Sequence, residues 1–128
     1  MPWTSKYGAR GAEVRYLGRT VGEELCDANR AVLTHAYSDG FHYVLVDFSR
    51  VEALDAPLAD LLRIAEHNRQ YLLRNPSFLL AVIAPQAHVS GLMRTFAWYM
   101  EGTSQRATVV RTRAEAVAWL DAEMADTA

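Results

Sequence analysis

Cysteine is nearly absent: Cys26 stands alone among 128 residues, which excludes an internal disulfide and any Cys-rich zinc site. A basic excess is also missing, with 13 Lys and Arg against 15 Asp and Glu and a formal charge of -2. Affinity built on phosphate neutralisation needs a cationic surplus, so nucleic acid is not an expected partner. Long apolar runs are lacking too. The longest, Tyr43 to Val46 and Phe78 to Pro85, fall far short of the roughly 20 residues that span a bilayer. The segment Met1 to Gly11 carries Trp3, Lys6, Tyr7 and Arg10 where a signal peptide has an apolar core. A cytoplasmic protein without a membrane span is the expectation. There is no internal repeat and no low-complexity stretch.

What is present is 51% hydrophobic residues, enough at this length to bury roughly two thirds of the unfolded chain's surface in one core. A single domain over 1–128 is expected, with 1–11 forming an N-terminal strand or arm. Short β-branched runs alternate with amphipathic stretches, the pattern of an α/β layer fold. Ala12 to Arg19 sets Val14, Tyr16 and Gly18 against Glu13, Arg15 and Leu17, a half-exposed strand. Trp3 to Tyr7 is its hairpin partner, turning through Gly8 to Gly11.

Thr20 and Glu23 read as a capping box opening the first helix, whose apolar face is Leu25, Ala28, Val32 and Ala36 before Ser38-Asp39-Gly40 ends it. Tyr43 to Phe48 and Phe78 to Ala84 read as central strands covered on both faces. Between them, Asp55 and Pro57 start a second helix with the stripe Leu58, Leu61, Leu62, Ala65, Arg69 and Leu72, stopped by Asn75-Pro76. A third helix, Ala87 to Met100, turns Val89, Leu92, Met93, Phe96 and Met100 inward and ends at Gly102. Ala107 to Arg111 is a last strand. Thr112 and Glu115 cap a final helix with the stripe Val117, Leu120 and Met124. Helical connections make the later strands parallel.

The order of elements, the strand Tyr43-Val-Leu-Val-Asp47-Phe-Ser49, the following Val51-Glu-Ala-Leu-Asp55 and the helix after it resemble the STAS domain, the sulfate transporter and anti-sigma factor antagonist family. Ala81-Val-Ile-Ala-Pro85, Gly91-Leu-Met-Arg94 and Thr112-Arg-Ala-Glu-Ala-Val-Ala-Trp-Leu120 look closer to its bacterial SpoIIAA-like, STAS/SEC14-type members. The similarity covers about 12–122. It implies a STAS-like α/β domain with a mixed, mostly parallel sheet of about five strands and about four helices. In phosphorylatable anti-sigma antagonists a serine directly follows the Asp at the start of the second helix. Here Asp55 is followed by Ala56-Pro57-Leu58, so the acceptor hydroxyl is missing.

Catalytic candidates are His35, His42, His67 and His88, the carboxylates Asp47, Asp55, Asp60 and Glu66, and Ser49, Ser90 and Cys26. None stands in a catalytic spacing. Ala87-His-Val-Ser90-Gly91 lacks the first glycine of a nucleophile elbow and lies in a helix. No H-E-x-x-H, P-loop or G-x-G-x-x-G occurs. An enzyme is not expected, nor any cofactor or metal ion. Asp47 reads as an acceptor for loop amides, Asp55 as a helix cap or a partner contact, His67 and Asn68 as solvated, and Cys26 as a small buried hydrophobe.

The expected function is therefore a non-catalytic regulatory module that binds a protein regulator through Asp47, Ser49, Arg50, Asp55, Ala56 and Pro57, unswitched by phosphorylation. The alternative is a carrier of a small apolar or lipid-like ligand, with His88, Met93, Phe96 and Arg111 near the pocket, as the SEC14-like side of the resemblance implies. Arg50, Arg111, Arg113 and His88 at strand ends suit an anion if they converge. Trp98 points roughly 200° away from Phe96 on the third helix. Left uncovered, it joins Tyr99 and Met100 in a patch suited to a partner or a homodimer.

Overall fold

The computed structural model describes residues 3–39 and 41–126. The chain runs β1 (Trp3–Tyr7), β2 (Gly11–Val21), α1 (Gly22–Asp39), β3 (Tyr43–Asp55), α2 (Leu58–Arg74), β4 (Leu79–Ile83), α3 (Ala87–Tyr99), β5 (Arg106–Val110) and α4 (Arg113–Asp126). This is an α/β fold with one five-stranded mixed sheet in the order β1-β2-β3-β4-β5. The β1–β2 pair is antiparallel and the others are parallel, as the alternation of strands and helices predicts.

Consecutive order and right-handed crossovers dictate the layers. Helices α1, α2 and α3 each link neighbouring parallel strands in the same direction across the sheet, so they fall on one face. Helix α4 follows the last strand and is free to take the other. Val14, Tyr16, Val44, Phe48, Leu80 and Val82 accordingly pack beneath the three crossover helices. Leu45, Leu79, Ala81 and Ile83 pack beneath Ala116 and Leu120 of α4. All five residues of β4 are buried, as its continuous apolar run predicts.

Several local expectations change. Thr20 belongs to β2 and is 1% exposed, so it does not cap α1. The cap arises one residue later, where Glu24 Oε1 accepts the Val21 amide at 2.8 Å. Ala36 and the helix stop at Gly40 concern side chains outside the described residues. In α2 the inward stripe is Leu61, Ile64, Ala65, Asn68, Tyr71 and Leu72, whereas Leu58 and Leu62 are 54% and 45% exposed. The stripe turns because Asn68 takes an inward position: its Oδ1 accepts from Asn29 Nδ2 of α1 at 3.2 Å. Asn68 is therefore buried, and His67 beside it is half-buried. In α4, Ala116 replaces Val117 on the inner side, and Val117 is exposed.

Candidate functional site

Strands β2 and β3 outrun β4. The β3–β4 ladder ends at Asp47↔Ile83, while β2 and β3 stay paired from Leu17↔Arg50 to Val21↔Asp55. The register shifts between Arg15 and Leu17 and again between Gly18 and Arg19. Gly18 takes φ 65 there, a left-handed conformation that costs glycine nothing.

Among the described residues this two-stranded extension has no third strand to brace it. Gln86, at the N-terminus of α3, does so instead, since its Nε2 donates to Phe48 O at 2.9 Å and to Val51 O at 2.8 Å. Beyond the extension the chain enters α2 through Pro57, whose carbonyl accepts from the Asp60 and Leu61 amides. No side chain caps that end, so Asp55 is the last residue of β3 and not a helix cap. Ser49, Arg50, Asp55 and Pro57 are exposed, and Ala56 is half-buried against the core. One turn apart on α2, exposed Leu58 and Leu62 continue this surface.

On the α4 side four charged residues form a closed cluster. Arg113, in the first turn of α4, grips Glu13 with both guanidinium nitrogens at 2.8 Å and reaches Asp47 Oδ2 at 2.9 Å. Arg15 lies 3.3 Å from Glu13 and 3.6 Å from Asp47. The other Asp47 oxygen accepts the Ser49 amide at 2.8 Å, an amide two residues on in the same strand and not one of a loop as expected. Burial by itself raises the Asp47 carboxyl, but the hydrogen bonds from Ser49 and Arg113 outweigh it and hold the group below its ordinary value. The hydrogen bond from Arg113 does the same for Glu13 against a smaller burial penalty. Arg113 is spent in this cluster and offers no free charge to an anion. Beside it, Thr112 Oγ1 accepts the Glu115 amide at 3.2 Å and donates to the Glu115 carboxylate at 3.0 Å, a cap of the expected residues.

Met93 and Phe96 line a cavity of about 50 Å³ with Tyr16, Asn29 and Asn68. Sites for drug-sized ligands run to roughly 300–1,000 Å³, so this space is too small for one. His88 and Arg111 are exposed and not on its lining. Among the described catalytic candidates Asp47 bonds Ser49 and Cys26 Sγ donates to the Asp60 carbonyl at 3.7 Å, and neither contact includes a histidine. Cys26 is 1% exposed and burial raises its thiol; Ser90 Oγ accepts from Arg94 Nε at 3.2 Å within α3. Among the described residues no group of three or more His, Cys, Asp and Glu is placed to hold a metal ion, and no helix is long and apolar enough to cross a membrane.

No protein-family model and no curated protein matches the chain. Solved structures do. The anti-sigma factor antagonist SpoIIAA in its unphosphorylated form superposes with a TM-score of 0.65 at 10% identity, over 94% of this chain and 96% of that one. The fold is SpoIIAA-like. The phosphorylated form of SpoIIAA, a Bacillus cell fate determinant, gives 0.57 at 13% identity over 92% and 98%. An uncharacterised DUF3478 protein with a SpoIIAA-like fold, from Shewanella loihica PV-4, gives 0.52 at 18% identity over 86% and 83%. The five strands and four helices are those of the SpoIIAA-like fold, as the resemblance implies.

Within it, sequence reasoning missed Gln86 and the exposed Leu58 and Leu62. The α2 pair was within reach: Leu61, Ile64, Asn68 and Tyr71 recur at helical spacing as well as the all-apolar frame does. Asn68 hid that frame, because a polar residue argues against burial until its partner is known. Gln86 left no signal, since its two acceptors lie more than 30 residues away in sequence.

Proposed function

We propose that this domain is a non-catalytic regulatory module of the cytoplasm that recognises a protein partner with the free end of the β2–β3 extension and the first turns of α2. The observation that carries this reading is the combination of surface and support. Asp55, Pro57, Leu58 and Leu62 expose charge and apolar area side by side, as the rim and centre of an interface do. Gln86 and the Glu13–Asp47–Arg113 cluster hold the strands beneath them. Asp47 then acts as the anchor of this surface, and Ser49, Arg50, Asp55 and Pro57 act as its contacts. Ala56 leaves the start of α2 without an acceptor hydroxyl, so recognition here is not gated by phosphorylation at that position. The small cavity beside Met93 and Phe96 supports protein recognition over carriage of a lipid-like ligand.

The test is affinity capture from the source organism with the wild-type chain and with Asp55→Arg, Pro57→Arg and Leu58→Arg, each checked for an unchanged circular dichroism spectrum. A partner retained by the wild type and lost from all three variants is expected. Equal retention by the variants refutes this surface.

A further inference from the structure

The sheet ends at β5, and that edge is open. The Ala84 amide donates to the Val110 carbonyl at 2.8 Å, which points the backbone groups of Val110 toward β4. Backbone groups alternate sides along a strand, so those of Thr108 also face β4, while those of Ala107 and Val109 face outward. No described strand receives them. The C-terminal half of α3 stands beside this edge, and together they enclose a groove of about 650 Å³ lined by Arg94, Trp98, Glu101, Ala107 and Val109 among others. Trp98 is 64% exposed and its ring lies 5.4 Å from that of Tyr99.

We propose that a second copy of this chain occupies the groove, adding its own β5 antiparallel to the first about a twofold axis through Thr108. The axis sets Ala107 opposite Val109 of the second copy and the reverse, so the outward groups exchange about four backbone hydrogen bonds. Thr108 meets its symmetry mate, a favourable cross-strand pair. The charges match as well. As a crossover helix, α3 runs antiparallel to β5; Arg94 lies in its C-terminal half and Glu101 in the turn just beyond its end, both on the lining of the groove. Reversal by the twofold brings Arg94 of each copy toward Glu101 of the other. Among the described residues Arg94 bonds the Ser90 hydroxyl and no carboxylate, so its charge is available. Both copies of α3 lie on the same face of the joined sheet, and each Trp98 is covered by the opposing helix. Twofold pairing uses up the open edge and closes the assembly. This surface is separate from the β2–β3 extension and does not depend on the partner proposed there.

Sedimentation velocity of the full chain over a concentration series tests the proposal. The wild type is expected to show a monomer–dimer equilibrium. Val109→Pro removes an outward N–H without touching the ladder to β4, and it weakens association about tenfold or more, as loss of roughly 1.4 kcal/mol does. Arg94→Glu sets like charges together and also weakens the dimer; adding Glu101→Arg restores it. Both charge changes lie on exposed positions, so they leave the fold intact even if Val109→Pro does not. A wild type that stays monomeric at every concentration overturns the proposal, as it does if only a foreign extended peptide binds the edge. A dimer that Arg94→Glu leaves unchanged, or that the charge swap fails to restore, overturns it equally.

Discussion

Replacing Arg113 by alanine removes the residue that ties the start of α4 to the polar face of β2 and β3. Asp47 Oδ2 then loses a charge-assisted hydrogen bond, about 1.5–3 kcal/mol for a buried carboxylate, because the Asp47 side chain is 5% exposed and Arg15 is its remaining cation at 3.6 Å. Glu13 loses a bidentate partner but is 22% exposed, so water replaces most of that interaction at about 0.5 kcal/mol. Arg113 is itself 43% exposed, and screening brings the net cost to about 2 kcal/mol. For a domain of this size that lowers Tm by roughly 6–10 °C. The sign of the pH dependence follows from the direction of the shifts. Glu13 and Asp47 both titrate below their ordinary values of 4.5 and 3.8, so their stabilisation is complete above those values and is lost as pH falls through the folded-state ones. The deficit of Arg113→Ala is therefore full at neutral pH and shrinks below about pH 4. Denaturant unfolding of wild type and variant at a series of pH values measures it. A double-mutant cycle with Asp47→Asn should return a coupling of about 1 kcal/mol or more. A deficit below about 0.5 kcal/mol at neutral pH, or one of equal size under acid conditions, refutes the assignment of the cluster.

Two further substitutions probe the frame around the extension. Thr20→Val should be neutral or stabilise by up to about 1 kcal/mol in thermal unfolding, because the Thr20 hydroxyl is buried without a partner among the described residues; a loss above that size means the hydroxyl is satisfied in solution. Gly18→Ala should cost about 1–2 kcal/mol through backbone conformation alone, since an added methyl meets nothing within 4 Å at φ 65. Gly18→Asn should cost less, and equal stability of all three proteins would show that the bulge relaxes.

The strand and helix order, the parallel pairing and the two doubly covered strands were legible in local patterns. Val14, Tyr16, Val89, Met93 and Phe96 went inward as their periodicity predicts. The errors fell where a polar group is buried by a distant partner. Asn68 faces the core because Asn29 meets it, and its burial turns α2 so that Leu58 and Leu62 reach solvent. Thr20 extends a strand because β3 continues alongside it to Leu54.

The same division holds for the candidate site. Which residues populate the strand ends is local information carried by the chain itself. Whether Arg113 is a free cation or the neutralised centre of a cluster was decided by Glu13, 100 positions away. Gln86 became a brace only when folding laid two carbonyls of β3 against it. Hydrophobic periodicity acts between neighbours and can be read in sequence; the hydrogen bonds of Gln86 and the ion pairs of Arg113 join groups that only the folded sheet brings together, and those shape this surface.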